Sequence, residues 1–123
     1  MTRRYTKDHE WIQPLSPTTA RVGITHHAQD LLGDIVFVEL PPVGKAFEAG
    51  ADAAVVESVK AASEVYMPLS GTIASVNEVL IAAPETVNQD PEGNGWFFDI
   101  TLKNPADLDT LMTEADYQAL IKG

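Results

Sequence analysis

A chain of 123 residues with 45% apolar content suits one domain, residues 1–123, with a real but modest core. The balance of 18 acids against 8 lysines and arginines gives a net charge of −10, which repels phosphate backbones and argues against a nucleic-acid partner. There is no cysteine, which removes disulfides, thiolate nucleophiles and the common structural zinc sites, and no apolar run approaches the roughly 20 residues that span a bilayer.

The start, MTRRYTKDHEW, has no apolar core of a secretory signal and no visible transit peptide. The expected compartment is the cytoplasm, or the mitochondrion if this is a processed form. Glu10 to Leu15 predicts a first strand anchored by Trp11, with Pro14 and Pro17 favouring an edge position. Thr19 to Thr25 alternates polar and apolar residues and predicts a second strand. Thr25 then caps a short helix from His26 to Leu32, which Gly33 stops. Asp34 to Leu40 (DIVFVEL) is the strongest strand signal. Simple alternation puts Ile35, Phe37 and Glu39 on one face and Val36, Val38 and Leu40 on the other.

Val43 to Gly50 reads as a short extended piece between glycine turns. Ala53 to Val59 and Ser63 to Met67 predict a β-hairpin with Lys60-Ala61-Ala62 at its tip, closed by the turn signal Pro68-Leu69-Ser70-Gly71. Gly71 to Val76 predicts another strand, with Asn77 in a turn. Leu80 to Gly95 reads as irregular, and Trp96 to Leu102 as the last strand. A helical segment, about 105–121, begins at Asn104-Pro105, and Thr113 with Asp116 starts a further turn like a capping box. Leu108, Leu111, Met112, Leu120 and Ile121 would form its buried stripe. Short antiparallel strands with small helices at the side and end predict a mainly β fold, a sandwich or partly open barrel.

Few residues carry chemistry. His26 and His27 are adjacent and His9 is distant, so no metal spacing is present; Ser58, Ser63 and Ser70 lie in no nucleophile elbow, and no glycines form a phosphate loop. Lys60 stands out by position. Glu57 and Glu64 flank it at offsets of minus three and plus four. A hairpin tip usually carries a plain solvated lysine, but a flexible stem ending in an acylable amine also suits attachment of a group. Any sulfur redox chemistry would then have to come from what is attached.

The segment ESVKAASEVYMPLSGTIASVN resembles the lipoyl-lysine region of the glycine cleavage system H protein family. KDHEWI (Lys7 to Ile12), GITHHAQDLLGDIVFVELPPVG (Gly23 to Gly44), VNQDP (Val87 to Pro91) and GNGWFFDI (Gly93 to Ile100) match the family pattern in the same order, so the likeness spans about Tyr5 to Leu120. A generic lipoyl domain would lack the HEW and GDIVFVELP segments, and a biotin carrier would have methionines where Val59 and Ala61 flank the lysine.

The resemblance implies a barrel-sandwich hybrid of the lipoyl/biotinyl-carrier type, with lipoate joined by an amide to Lys60. It implies a carrier and not a turnover catalyst. Its partners would be glycine decarboxylase (P protein, pyridoxal-phosphate dependent), a tetrahydrofolate-dependent aminomethyltransferase (T protein) and dihydrolipoamide dehydrogenase (L protein). A lipoyl or octanoyl transferase or lipoate ligase would modify Lys60, with Glu57 and Glu64 marking the tip. Glu10, His27 and Glu64 fall by motif at a cleft where the loaded arm docks. Glu64 stands where many relatives have Asp. Thr86 and Glu92 depart from an aliphatic residue and a tyrosine, which puts packing or partner contacts at Glu92 in question. Two other readings stay open: a relay that donates lipoyl groups to other carrier domains, and a β-sandwich interaction module with an unmodified Lys60.

Overall fold

A computed structural model describes residues 2–122. Nine strands form two antiparallel sheets. The larger joins β1 (Arg4–Tyr5), β2 (Glu10–Pro14), β3 (Thr19–Ile24), β9 (Phe98–Leu102), β8 (Gly71–Val76) and β5 (Ala46–Phe47), in the order β1-β2-β3-β9-β8-β5. The smaller joins β4 (Ile35–Glu39), β6 (Asp52–Ser58) and β7 (Ala62–Tyr66), in the order β4-β6-β7. The fold is mainly β, as expected, and the described strands do not close into a barrel.

The core forms where the inward faces meet. Ile12, Val22, Ile73, Phe98 and Ile100 from the larger sheet join Val38, Ala54, Val56 and Val65 from the smaller in one buried cluster. Full burial of each valine, isoleucine or phenylalanine here stabilises by roughly 1.5–3 kcal/mol, which offsets the entropy of ordering short strands. A second cluster lies around Trp11. Tyr5 and Tyr117 stack with ring centroids 4.9 Å apart beside it.

The sequence expectations meet the structure closely in the first half. Thr25 caps α1 (His26–Leu32) by accepting from the Ala28 amide, and Gly33 closes it. Four expectations fail for identifiable reasons. β2 is not an edge, because β1 pairs with it at Arg4–Ile12 and Tyr5–Trp11; Pro14 lies beyond that pairing, where its missing N–H costs nothing. In β4 a register shift between Ile35 and Phe37 breaks the alternation. Ile35 and Val38 are both buried while Val36 and Phe37 are exposed. Residues 80–95 are not irregular throughout: α2 (Val79–Ala82) and α3 (Thr86–Gln89) sink Leu80 and Val87 into the core.

The fourth failure is confined to part of the C-terminal stripe: Leu108, Leu111, Met112 and Ile121 pack half-buried against the core clusters as expected, but Leu120 does not. Asn104 does cap a helix by accepting from Ala106 N, but the helix is the 3-10 segment Pro105–Thr110. Thr113 and Asp116 do bond reciprocally ahead of α4 (Glu114–Lys122). The residue α4 buries is Tyr117, whereas Leu120 is 46% exposed.

Gly23 faces Trp11 directly in the β2–β3 register. A Cβ there would lie 2.6 Å from the indole ring, which is pinned by its Nε1–H donating to the Pro91 carbonyl at 2.9 Å. Overpacking of this kind costs about 1–3 kcal/mol. Gly23→Ala is therefore expected to lower the urea midpoint of unfolding without changing its slope, while Ala20→Gly, three pairs away, leaves the indole emission wavelength unchanged.

Candidate functional site

Lys60 sits in a three-residue connection, Val59 to Ala61, between β6 and β7. The tip lacks an Asn-Gly or Asp-Gly turn, and the Ser58 side chain stands in for one. Its hydroxyl accepts from Lys60 N at 3.2 Å and Ala61 N at 3.1 Å, while Ser58 N donates to the Ala61 carbonyl at 2.8 Å. Ala62, expected in the tip, already pairs with Glu57 as a strand residue. The tip also rests on the turn between α1 and β4, where Val59 N donates to the Asp34 carbonyl at 3.0 Å. The lysine stem crosses Gly33. A Cβ at Gly33 would meet Lys60 Cε at 3.3 Å, and the φ of +79° disfavours any residue with a side chain. The Lys60 side chain is exposed, and its ammonium makes no hydrogen bond or ion pair with the described residues.

Glu57 and Glu64 lie on one outward face. Glu57 pairs with Ala62 and Val55 with Glu64, so the two acids are diagonal neighbours about 7 Å apart by strand geometry. Both are exposed. Glu64 also borders a cleft of about 150 Å³ between α1 and the hairpin. Its walls are largely apolar, with Ile24, Ala28, Leu31, Leu32, Val56 and Val65, and its polar groups come from Asp8, His9, Glu10, Ser63 and Glu64. Ser63 and Glu64 lie three and four residues past Lys60, or roughly 10–13 Å along an extended strand.

Glu10 is only 2% exposed and lines this cleft from within. Its Oε2 accepts from Tyr66 N at 2.6 Å, and Thr6 Oγ1 donates to Oε1 at 3.3 Å. Burial pushes its carboxyl up from 4.5 to about 8, and the Tyr66 amide and Thr6 hydroxyl only partly oppose that. Glu10 and Asp8 also line a second, larger cavity of about 390 Å³, on the side of Tyr5, Tyr66, Met67 and Met112.

The structure therefore brings Glu10 and Glu64 to one cleft. His27 is not among the residues lining it. It borders a neighbouring depression with Glu92 and Tyr117, and it reaches the cleft through His9, whose ring lies 4.7 Å from its own. His9 has a positive φ of 64°. Its Nδ1 lies 2.8 Å from the Tyr117 hydroxyl, which is in turn 2.6 Å from Thr25 Oγ1. Burial, then His27, holds the His9 imidazole below its ordinary value. Sequence reasoning missed His9 and Ser63 at the cleft and Ser58 at the tip. The alternation in β7 placed Ser63 and Val65 on one face and was the available signal for Ser63.

A model of the family described as "Glycine cleavage H-protein" matches residues 3–123. The chain belongs to that family. It is 58% identical over 119 residues to the glycine cleavage system H protein of Beijerinckia indica, covering 97% of this chain and 95% of the relative. Against the protein of the same name from Neisseria meningitidis serogroup C it is 57% identical over 114 residues, covering 93% and 89%. The crystal structure of a glycine cleavage system H protein from Mycobacterium marinum superposes with a TM-score of 0.89 at 37% identity, covering 98% of this chain and 97% of that one. The family's fold is thus the fold described here. The Glu92 departure has a local explanation: its Oε2 accepts from His26 N at 2.9 Å at the start of α1, and its Oε1 lies 3.5 Å from Arg3 Nη1.

Glu10 sets a pH dependence with a definite sign. The folded chain holds the Glu10 proton more tightly than the unfolded chain, so its contribution is intact below about pH 4.5 and is lost as pH rises towards 8. The loss is on the order of a few kcal/mol. In urea melts from pH 4.5 to 8.5, Glu10→Gln is expected to remove this alkaline decline, and a parallel decline in both proteins would contradict it.

Proposed function

We propose that this chain is the lipoyl-bearing carrier of glycine cleavage, with lipoate joined as an amide to Lys60. The observation that carries the reading is the exposed Lys60 ammonium, held on a seated hairpin tip beside a cleft with apolar walls and carboxylates, in a chain of the H-protein family. The site residues suit the group. A carbon arm finds Leu31, Leu32, Val56 and Val65 along the cleft, and a cationic end finds Glu64 and Glu10.

Held by Lys60, the dithiolane would supply the redox-active sulfur that a cysteine-free chain lacks, and so the means to carry the aminomethyl group of glycine between a pyridoxal-phosphate decarboxylase, a tetrahydrofolate-dependent aminomethyltransferase and dihydrolipoamide dehydrogenase. The chain's own residues present, mark and shelter. Lys60 offers its amine at a tip whose backbone amides are already satisfied by Ser58 and Asp34, so the modifying enzyme meets a set loop. Glu57 and Glu64 give that enzyme an acidic face on one side of the tip. Glu64 receives a cation at the cleft rim. Glu10, whose carboxyl burial raises to about 8, ionises when a cation comes within hydrogen-bond reach, because an opposite charge reverses the effect of burial. Tethering keeps the cargo at high effective concentration for each partner, and the apolar cleft slows attack by water. The surplus of acidic charge steers the carrier to basic docking surfaces, and no described helix is long and apolar enough to cross a membrane.

Incubation with a lipoyl ligase, ATP and lipoate is expected to add the mass of one lipoyl group to the parent and nothing to Lys60→Ala. Equal modification of both would refute attachment at Lys60. With the modified and loaded protein, Glu10→Ala is expected to release formaldehyde several-fold faster than the parent; an unchanged rate would remove Glu10 from the sheltering role.

A further inference from the structure

The Lys60 tip is seated on a turn, and one side chain remote in sequence holds that turn. Asn88, on α3, has three hydrogen bonds to the segment from α1 to β4. Its Nδ2 donates to the Gly33 carbonyl at 2.8 Å and to Gln29 Oε1 at 3.0 Å, and its Oδ1 accepts from Ile35 N at 2.9 Å. These bonds bracket Asp34, whose carbonyl takes the Val59 amide at 3.0 Å, next to Lys60. Gly33, gripped through its carbonyl, is also the residue over which the lysine stem lies. Asn88 is itself well anchored, because its neighbour Val87 is fully buried in the core.

We propose that Asn88 is a positioning residue for the Lys60 hairpin: by fixing both peptide groups around Asp34 it sets the platform on which the tip rests and the direction in which the lysine leaves it. The inference rests on the reading of Lys60 as the attachment site. The geometry suits an amide and few other side chains. Both donors and the acceptor are used at once, on a backbone carbonyl, a side-chain carbonyl and a backbone N–H, which a carboxylate, a hydroxyl or an ammonium cannot all satisfy. Three bonds on one short segment also exceed what is needed to hold α3 against α1, since apolar burial of Val87 already does that.

The consequence is a preformed tip. Without Asn88 the turn samples other arrangements, Val59 loses its fixed acceptor, and the modifying enzyme meets a tip that is only fractionally competent. That fraction multiplies the apparent binding constant and leaves the bound reaction unchanged.

The test uses the whole chain with Asn88→Ala, which loses all three bonds, and Asn88→Asp, which keeps the acceptor and loses both donors. The first readout is amide exchange by NMR. Val59 is expected to exchange about tenfold faster or more in Asn88→Ala, and by a smaller factor in Asn88→Asp, in excess of any change at Ile100 in the core. The second is lipoylation kinetics, where KM for the carrier is expected to rise by about tenfold while kcat stays near the parent value. If Asn88→Ala does not fold, Asn88→Asp carries both readouts. Unchanged protection of Val59 relative to Ile100 together with unchanged KM in a parent that is modified overturns the positioning role and leaves the attachment reading intact. A parent that is not modified at Lys60 overturns both.

Discussion

The buried carboxyl of Glu10 is the constraint around which the two sheets are arranged. It leaves β2 in the larger sheet and bonds to the Tyr66 amide of β7 in the smaller one, where that edge strand would otherwise leave a donor unpaired. An acid with 2% exposure is costly to bury as a charge, so the group holds its proton, and one short bond both satisfies the amide and ties the sheets together. The tie falls between two cavities, both of which Glu10 lines. The same atom pair therefore links the two sheets and leaves a titratable group lining both cavities.

At the hairpin tip the demands are opposite. A lysine that is to be reached from outside must stand in solvent, yet a free loop would present it in no fixed direction. The chain meets both demands with backbone bonds. Ser58 satisfies the tip amides from within, Asp34 fixes Val59 from outside, and Gly33 allows the stem to lie close without a side chain in its path. None of these contacts uses the lysine ammonium, which keeps its reactivity and its reach.

The C-terminal helix belongs to this site as much as to the core. Tyr117 stacks on Tyr5, and its hydroxyl joins Thr25, the cap of α1, to His9 at the cleft. The strained His9 backbone is held by bonds on both sides, since His9 N donates to Thr6 O and Thr25 N donates to His9 O. Glu92 fits the same logic. A carboxylate at the start of α1, with Arg3 beside it, has a partner for each of its oxygens.

Much of this was legible in the sequence where the signal is local. The Thr25 cap, the α1 span, the Gly71–Val76 strand, the Asn104 cap and the Thr113–Asp116 pair depend on residues within a turn of one another, and the structure has them as expected. The hairpin and the prominence of Lys60 were also readable, and the family motifs linked Glu10 and Glu64 to it across 54 positions of chain from residue 10 to residue 64. The β4 register shift, the pairing of β1 with β2, and the choice of Tyr117 over Leu120 for burial were not. Each depends on what packs against the element from a distant part of the chain, and local periodicity holds no record of that. The sequence by itself determined which lysine stands at the hairpin tip and which acids flank it. Only the tertiary structure decided that Glu10 is buried with a raised pKa, that His9 and not His27 borders the cleft, and that Asn88 supports the tip, because burial and hydrogen-bond partnership arise only when distant segments meet.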